Sequence, residues 1–389
     1  MRVKILHVNV SAICDRFYLK FFDLLKQQGV HQKVVVPYSI QSNSAEDVQY
    51  CVTNYHKQLI DVALLPVKKP IDRFLYGKKI RKYTRAVRHE VGIELQNFDV
   101  IHAHSLYSDG GVACELHKMC GIPYFVAVRG TDTECFMTYF KWLNPKAREI
   151  LENAAHVFFI SPDLKRKTIE KLYGNRRVVP WLNRHSILPN GVDDFWIRNT
   201  YSIGESLGAH ENSEIHVIQV SRLIKSKNVD KTILAIKQLR DEGIDVTLTV
   251  VGKGSEEARL IQLIKVNCLE DVVDMVGFIE NKKDLIELYR KADVFVMPSQ
   301  GETFGIAYIE ALTQSLPIVG LSGAGVSGYL REKEVGEFVE TPEPGFIADA
   351  IKHIAQNKNE LQQKCADVAK EFEWNHIIEQ YMRLYTSVL

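Results

Sequence analysis

An α/β fold of two parallel-sheet domains in series is what this sequence predicts, on three observations. Short apolar, β-branched runs alternate with longer amphipathic stretches from end to end. The alternation breaks once, at a polar stretch near 196–213, and then restarts. The 389 residues also exceed what one ordinary core fills, so two domains of roughly 180–200 residues each are expected.

The strand candidates of the first half are 3–8, 33–36, 100–103, 124–128, 156–160 and 186–188. Those of the second half are 216–220, 246–251, 272–276, 294–297 and 317–320. Runs this apolar, separated by helical spacing, indicate parallel strands covered on both faces, a Rossmann-like arrangement. The break holds Asn199, Ser202, Gly204, Ser206, Gly208, Asn212 and Ser213, which sets domains of 1–197 and 198–373. In open α/β sheets ligands gather at the carboxyl ends of the strands, so two such domains are expected to face each other across a ligand-holding cleft.

Composition narrows the class. Hydrophobic residues make up 46% and charged residues 25%, as in soluble enzymes, and a net charge of +1 gives no support to nucleic-acid binding. Seven cysteines include no C-x-x-C pair, so reduced thiols and a cytoplasmic location are expected rather than a disulfide framework or zinc site. The start, Met1-Arg-Val-Lys-Ile-Leu-His-Val, reads as a buried strand and not as a signal peptide.

The richest stretch runs from Ala292 to Leu312. A buried strand ends near Met297, a loop with Gly301 and Glu302 follows, and a helix starts near Phe304-Gly305. Glu310 lies two turns inside that helix. Eight helical residues rise ~12 Å, about the reach from a sugar ring to a nucleoside ribose across a diphosphate. The helix N-terminus offers free N–H groups to an anion, and Gly305 permits close backbone approach. Taken alone, two acids eight residues apart are common. The strand–loop–helix frame, with Thr303, Phe304 and Gly305 beside the first acid, makes the pattern specific. After an earlier strand, Ser221-Arg222-Leu-Ile-Lys-Ser-Lys227 sets two cations five residues apart, suited to a leaving diphosphate. Gly252-Lys-Gly254-Ser-Glu-Glu257 fails as a dinucleotide fingerprint because Glu257 stands where a third glycine belongs. It reads instead as a turn lining a nucleoside pocket, with Gly277-Phe278 as a further candidate contact. In the first half, His104 closes a strand, and Arg129-Gly-Thr-Asp132 follows another.

These motifs resemble the retaining GT-B glycosyltransferases of family four, the glycosyl transferases group 1, over nearly the whole chain and most densely in its second half. The resemblance implies a GT-B fold whose last helix, 374–389, returns to the first domain. It implies transfer of a sugar, commonly from a UDP-sugar, with retention of configuration. Glu302 would orient the donor sugar, Arg222 and Lys227 would stabilise the diphosphate, and Glu310 would hold the ribose. Thr303, Phe304, Gly305, Gly252, Gly254 and Phe278 would line the rest of the donor site. His104 and Arg129 would serve catalysis from the first domain, with Asp132 on the acceptor side. Arg129 stands where much of the family has His, and a guanidinium cannot act as a base near neutral pH. Asn228 replaces a usual glycine, the first loop (Asn9–Arg16) lacks the family's glycine pair, and Gly323–Leu330 lacks its Pro-Glu. No acidic pair or His/Asp/Glu cluster has metal-binding spacing, so no metal or other cofactor is expected. A nucleotide-sugar 2-epimerase on the same fold, or a non-catalytic nucleotide-binding subunit, are the alternatives.

The acceptor is expected to be a glycan or a polyprenyl-diphosphate-linked sugar, as in assembly of surface polysaccharide or glycolipid. From Lys68 to Arg88 nine Lys/Arg face one Asp, interleaved with Phe74, Tyr76, Ile80 and Tyr83. That concentration predicts contact with an anionic membrane at the inner face of the cell membrane. The stretch Phe136–Leu143 offers a shelf for a lipid tail or part of the core.

Overall fold

The computed structural model describes residues 3–12, 16–41, 43–174, 178–201, 214–302, 304–323 and 325–387. Most of the polar break, 202–213, lies outside the described residues, as does Thr303. The chain forms two compact units: Met1–Ile160 with Leu164–Leu188 and Asn375–Leu389, and Ser161–Asp163 with Pro189–Trp374.

The first unit holds seven parallel strands: β1 (Lys4–Val8), β2 (His31–Pro37), β3 (Asp61–Leu65), β4 (Val100–Ala103), β5 (Tyr124–Val128), β6 (His156–Phe159) and β7 (His185–Ile187). Their order is β3-β2-β1-β4-β5-β6-β7. The second holds six: β8 (Ile215–Val220), β9 (Val246–Val251), β10 (Val273–Gly277), β11 (Val294–Met297), β12 (Ile318–Leu321) and β13 (Gly336–Val339), in the order β10-β9-β8-β11-β12-β13. Every strand pair is parallel. Two α/β units with doubly wound sheets are a GT-B architecture.

Strands β3 and β13 escape the apolar-run criterion for one reason. Both are sheet edges covered on only part of their surface, with Asp61, Val62, Ala63 and Leu64 in one and Gly336, Glu337 and Phe338 in the other all partly or fully exposed. The unit boundary falls at Leu188 rather than at 197 because the next residues pack into the second unit. Trp196 is 1% exposed and meets the Tyr289 ring edge-on at 5.7 Å.

Three helices shape the first unit's working face. Helix α1 (Arg16–Gln27) turns Phe21 and Phe22 into the core. Helix α2 (Tyr76–Val91) buries Lys79, Ile80, Tyr83, Thr84, Val87 and Val91, a stripe at helical spacing, and exposes Lys78, Arg81, Arg85 and Arg88. Helix α3 (Asp109–Cys120) stops at Gly121, whose φ of 75° closes the helix in the left-handed region. In the second unit, α4 (Ile306–Thr313) follows β11. The last helix, α5 (Trp374–Thr386), places Tyr381 5.1 Å from the Phe21 ring and stacks Tyr385 on Phe125 at 5.6 Å. Its aromatic side chains therefore complete the core of the first unit.

Candidate active site

In the second sheet the winding direction reverses between β8 and β11, which are hydrogen-bonded neighbours. Such a switch point leaves a crevice at the carboxyl ends of the two strands. The loops leaving β8 and β11 carry the two motifs that stand 75 residues apart in sequence, and the fold joins them there. Lys227 Nζ forms an ion pair with Glu302 Oε2, and each side chain is 14% exposed. The backbone fastens the same two loops: Gln300 N–H donates to the Ser226 carbonyl at 2.8 Å, and Asn228 Nδ2 donates to the Pro298 carbonyl at 2.7 Å. Asn228 has φ 51°, the left-handed conformation that glycine adopts freely and asparagine tolerates. Asparagine is among the few non-glycine residues that tolerate this conformation, so the exchange for glycine is accommodated there. Arg222 is exposed on the same loop.

Helix α4 begins beside Glu302. Gly305, its N-cap, has φ 90°, and a Cβ there would lie 2.6 Å from the Tyr308 ring and 3.3 Å from Glu302 Cγ. Phe304 is 3% exposed and meets Phe372 edge-on at 6.0 Å. Its ring belongs to the core, so any part Phe304 plays beside Glu302 falls to its backbone. Glu310 sits beside Trp196, Tyr289 and the Lys282–Asp193 ion pair. Burial pushes its carboxyl up to about 7, with Lys282 opposing the shift. Lys282, Asp193 and Trp196 were not readable as neighbours of Glu310, because they lie on separate segments of the chain.

The glycines of the 252–254 turn have a local reason. A Cβ on Gly252 would lie 1.9 Å from the Ser221 carbonyl oxygen, and one on Gly254 2.3 Å from that of Leu223. The turn is packed against the loop that carries Arg222, and Leu223 N–H donates to the Lys253 carbonyl at 3.0 Å. Phe278 is 61% exposed, with Lys253 Nζ 4.9 Å from its ring centroid. That gives an open aromatic face next to the turn.

In the first sheet the reversal lies between β1 and β4. Here the structure departs from the expected roles. His104 is 2% exposed, with its Nε2 3.0 Å from His7 Nδ1. Burial, reinforced by neighbouring His102, His7 and Arg129, holds it well below the usual imidazole range. It faces the core and not a solvent-filled site. Arg129 is half-buried, donates from Nε to the His104 carbonyl at 3.1 Å, and lies over the rings of Phe17 and Tyr18. Asp132 is 2% exposed and accepts from the N–H groups of Arg129, Leu106 and Tyr107. Its carboxylate is committed to backbone, so it holds the loops after β4 and β5 together. Burial pushes it up to about 6 against those bonds. Asp109, which sequence alone did not mark, does the same for the first loop. It accepts from Val10 N–H and Ser105 Oγ–H, and burial raises it to about 7.

The basic stretch is less uniform than its sequence. Lys79 is buried and donates to Ser108 Oγ at 2.5 Å, Lys82 is paired with Asp72, and Tyr83 is fully buried with its hydroxyl donating to Asp72. Tyr76 donates to the Tyr107 carbonyl. Outward, among the described residues, are Lys68, Lys69, Lys78, Arg81, Arg85 and Arg88. Phe74 is 65% exposed and lies 6.3 Å from Phe140, which in turn meets Trp142 at 5.2 Å; Tyr139 and Trp142 are exposed as well. The two aromatic segments therefore form one surface on the first unit.

Residues 206–372 match the family described as glycosyl transferases group 1, and residues 23–183 match the glycosyl transferase 4-like domain. The chain belongs to the GT-B group 1 glycosyltransferases. This glycosyltransferase is 24% identical over 303 residues to N-acetyl-alpha-D-glucosaminyl L-malate synthase of Bacillus anthracis, covering 76% of each chain. It is 22% identical over 302 residues to alpha-monoglucosyldiacylglycerol synthase of Acholeplasma laidlawii, covering 75% of this chain and 73% of that one. The crystal structure of Anabaena HepE with UDP superposes with a TM-score of 0.68 at 18% identity over the full length of both chains, a likeness of fold. No helix among the described residues is long and apolar enough to cross a membrane.

Proposed function

We propose that this glycosyltransferase takes a UDP-sugar and transfers the sugar, with retention of configuration, to a lipid-linked or glycan acceptor at an anionic membrane surface. The observation that carries the reading is the Lys227–Glu302 pair at the β8/β11 switch point. A cation for a diphosphate and an acid for sugar hydroxyls stand side by side, next to the N-terminus of α4. When the bond from the anomeric carbon to the diphosphate oxygen breaks, negative charge grows on that oxygen. Lys227 and the exposed Arg222 stabilise it, so the transfer needs no metal at the phosphates. The leaving oxygen accepts the acceptor hydroxyl's proton as the new glycosidic bond forms on the same face. Glu302 orients the sugar, and Glu310 accepts from the ribose.

Support for UDP comes from the UDP complex of the structurally similar HepE. Support for a lipid acceptor comes from the named activity of the Acholeplasma relative and from the cationic-aromatic surface around Phe74 and Trp142. Each outward cation near an anionic bilayer is worth ~1 kcal/mol, and that attraction is screened within ~8–10 Å at moderate salt.

The reading is tested in three arms. UDP should raise the melting temperature more than GDP or ADP does. With UDP-sugar and a lipid acceptor in vesicles, turnover should persist in excess chelator, and the product should keep the donor's anomeric configuration by proton NMR. Vesicle co-sedimentation should require anionic lipid and low salt, and should be lost in a Lys78/Arg81/Arg85/Arg88→Ser variant. Turnover that needs added magnesium, an inverted product, or equal sedimentation of the variant would each overturn the corresponding part. Epimerised donor appearing without any acceptor would replace transfer by epimerisation.

A further inference from the structure

The core of the first unit contains a cluster of polar atoms with an unusual lack of partners. His7 on β1 is in register with His102 on β4, and His104 follows two residues later on the same side. His7 and His102 are 0% exposed and His104 2%. The His102 and His104 rings stack at 4.0 Å, and one nitrogen from each of the three rings lies within 4.8 Å of one from each of the others. Phe21, Phe22, Phe158 and Tyr381 wall the cluster. Among the described residues, His102 Nε2 and His104 Nδ1 have no hydrogen-bond partner, whereas His7 is bonded to the Gln32 side chain and its Nδ1 lies 3.0 Å from His104 Nε2. A buried nitrogen such as His102 Nε2, without a partner in a water-excluding cluster, is costly unless something else occupies its lone pair.

We propose that His7, His102 and His104 form a structural binding site for a first-row transition-metal cation. The donor set selects the ion class. Neutral imidazoles suit zinc and copper, whereas magnesium and calcium require oxygen ligands. Zinc–nitrogen bonds of about 2.0–2.1 Å place tetrahedral ligand nitrogens about 3.3–3.5 Å apart. The 3.0 Å separation of His7 Nδ1 and His104 Nε2 is close to that edge, so an ion there would replace their mutual hydrogen bond and take up His102 as third ligand. His102 also has the second contact typical of a ligating histidine: its Nδ1 lies 2.5 Å from the Tyr385 hydroxyl, which fixes the ring and leaves Nε2 for the ion. Three imidazoles with no thiolate or thioether favour zinc over copper(I). The ion would join β1 to β4 and, through Tyr385, secure α5 to the sheet. It takes no part in transfer, whose proposed charge stabilisers Arg222 and Lys227 belong to the second unit.

The experiment uses the full chain without a polyhistidine tag, unfolded in denaturant with chelator and refolded three ways: with zinc, with copper(I) under reductant, or with neither. After gel filtration the favoured ion should remain at about one equivalent per chain, raise the melting temperature and slow amide exchange in 375–387. His104→Asn and His102→Gln should lose both the ion and the added stability. Because either variant could misfold, X-ray absorption at the metal edge of loaded wild type provides an independent readout, with three nitrogen neighbours at about 2.0 Å expected. Wild type that retains neither ion, variants that retain it undiminished, or an edge spectrum dominated by oxygen or sulfur would each overturn the site.

Discussion

The two sheets reverse direction at corresponding places, β1/β4 in the first unit and β8/β11 in the second, and the chemistry at the two reversals is opposite. At β8/β11 the side chains are charged and reachable: Arg222 is exposed, and Lys227 and Glu302 keep 14% of their surface in solvent. At β1/β4 they are neutral or locked. Three histidines are sealed among aromatic rings, and two buried acids, Asp109 and Asp132, spend their oxygens on loop N–H groups and a hydroxyl. The difference teaches what each site has to do. On the proposed reading, a site that meets a diphosphate presents charge that can shift its partner from Glu302 to phosphate. Loops held by buried carboxylates, by contrast, are fixed in place.

If that division holds, substitutions in the two units should separate activity from stability. The largest expected effect is on Lys227→Ala, with turnover down ~10²–10³-fold because a group stabilising developing charge is lost. Its fold should survive, with a lowered melting temperature because the Glu302 carboxylate loses its partner in a largely covered site. Near-normal turnover in the folded variant would remove Lys227 from the diphosphate. Asp132→Ala should show the reverse pattern. It orphans three backbone N–H groups at once, so a loss of ~2–4 kcal/mol is expected by denaturant unfolding, while the UDP-induced melting shift stays unchanged. An Asp132→Ala protein with wild-type stability would show that the loops hold themselves.

Sequence reading reached the second unit more fully than the first, for a physical reason. The motifs expected to bind the donor sit on loops directly after strands, so strand ends and helix starts already place Arg222, Lys227, Glu302 and Glu310 at one end of one sheet. The Lys227–Glu302 pairing itself needed the strand order. Phe304 reads as site-lining because it flanks Glu302, yet its ring turns inward to Phe372. In the first unit, strand-end position does not reveal which face a residue occupies. His104 continues the inward alternation of His102 and so enters the core. Asp109 has no motif at all; its task is defined by Val10, 99 residues earlier. Along 68–88, charge density predicts a surface, whereas the helical stripe that buries Lys79 and Tyr83 decides which cations stay on it.

The smallest expected effect gives the sharpest test, because Glu310 lies in the second unit but is buried like the acids of the first. Its carboxyl ordinarily titrates at 4.5 and is pushed up to about 7 by burial. Between those values the folded protein holds a proton that the unfolded chain has released, so stability falls as pH rises from 4.5 to 7 and the deficit is complete above 7. Glutamine neither ionises nor demands solvation of a charge. Glu310→Gln should therefore melt close to wild type near pH 4 and above it at pH 8, by about 1–3 kcal/mol, provided the amide keeps company with Trp196 and Tyr289. The same variant should bind UDP roughly 10-fold more weakly, because a charged acceptor for the ribose hydroxyls is lost. Gaining stability while losing ligand is what a buried acid kept for binding should do. A variant less stable than wild type at pH 8 would mean the charge is compensated in place, and an unchanged UDP-induced shift would move the ribose away from Glu310.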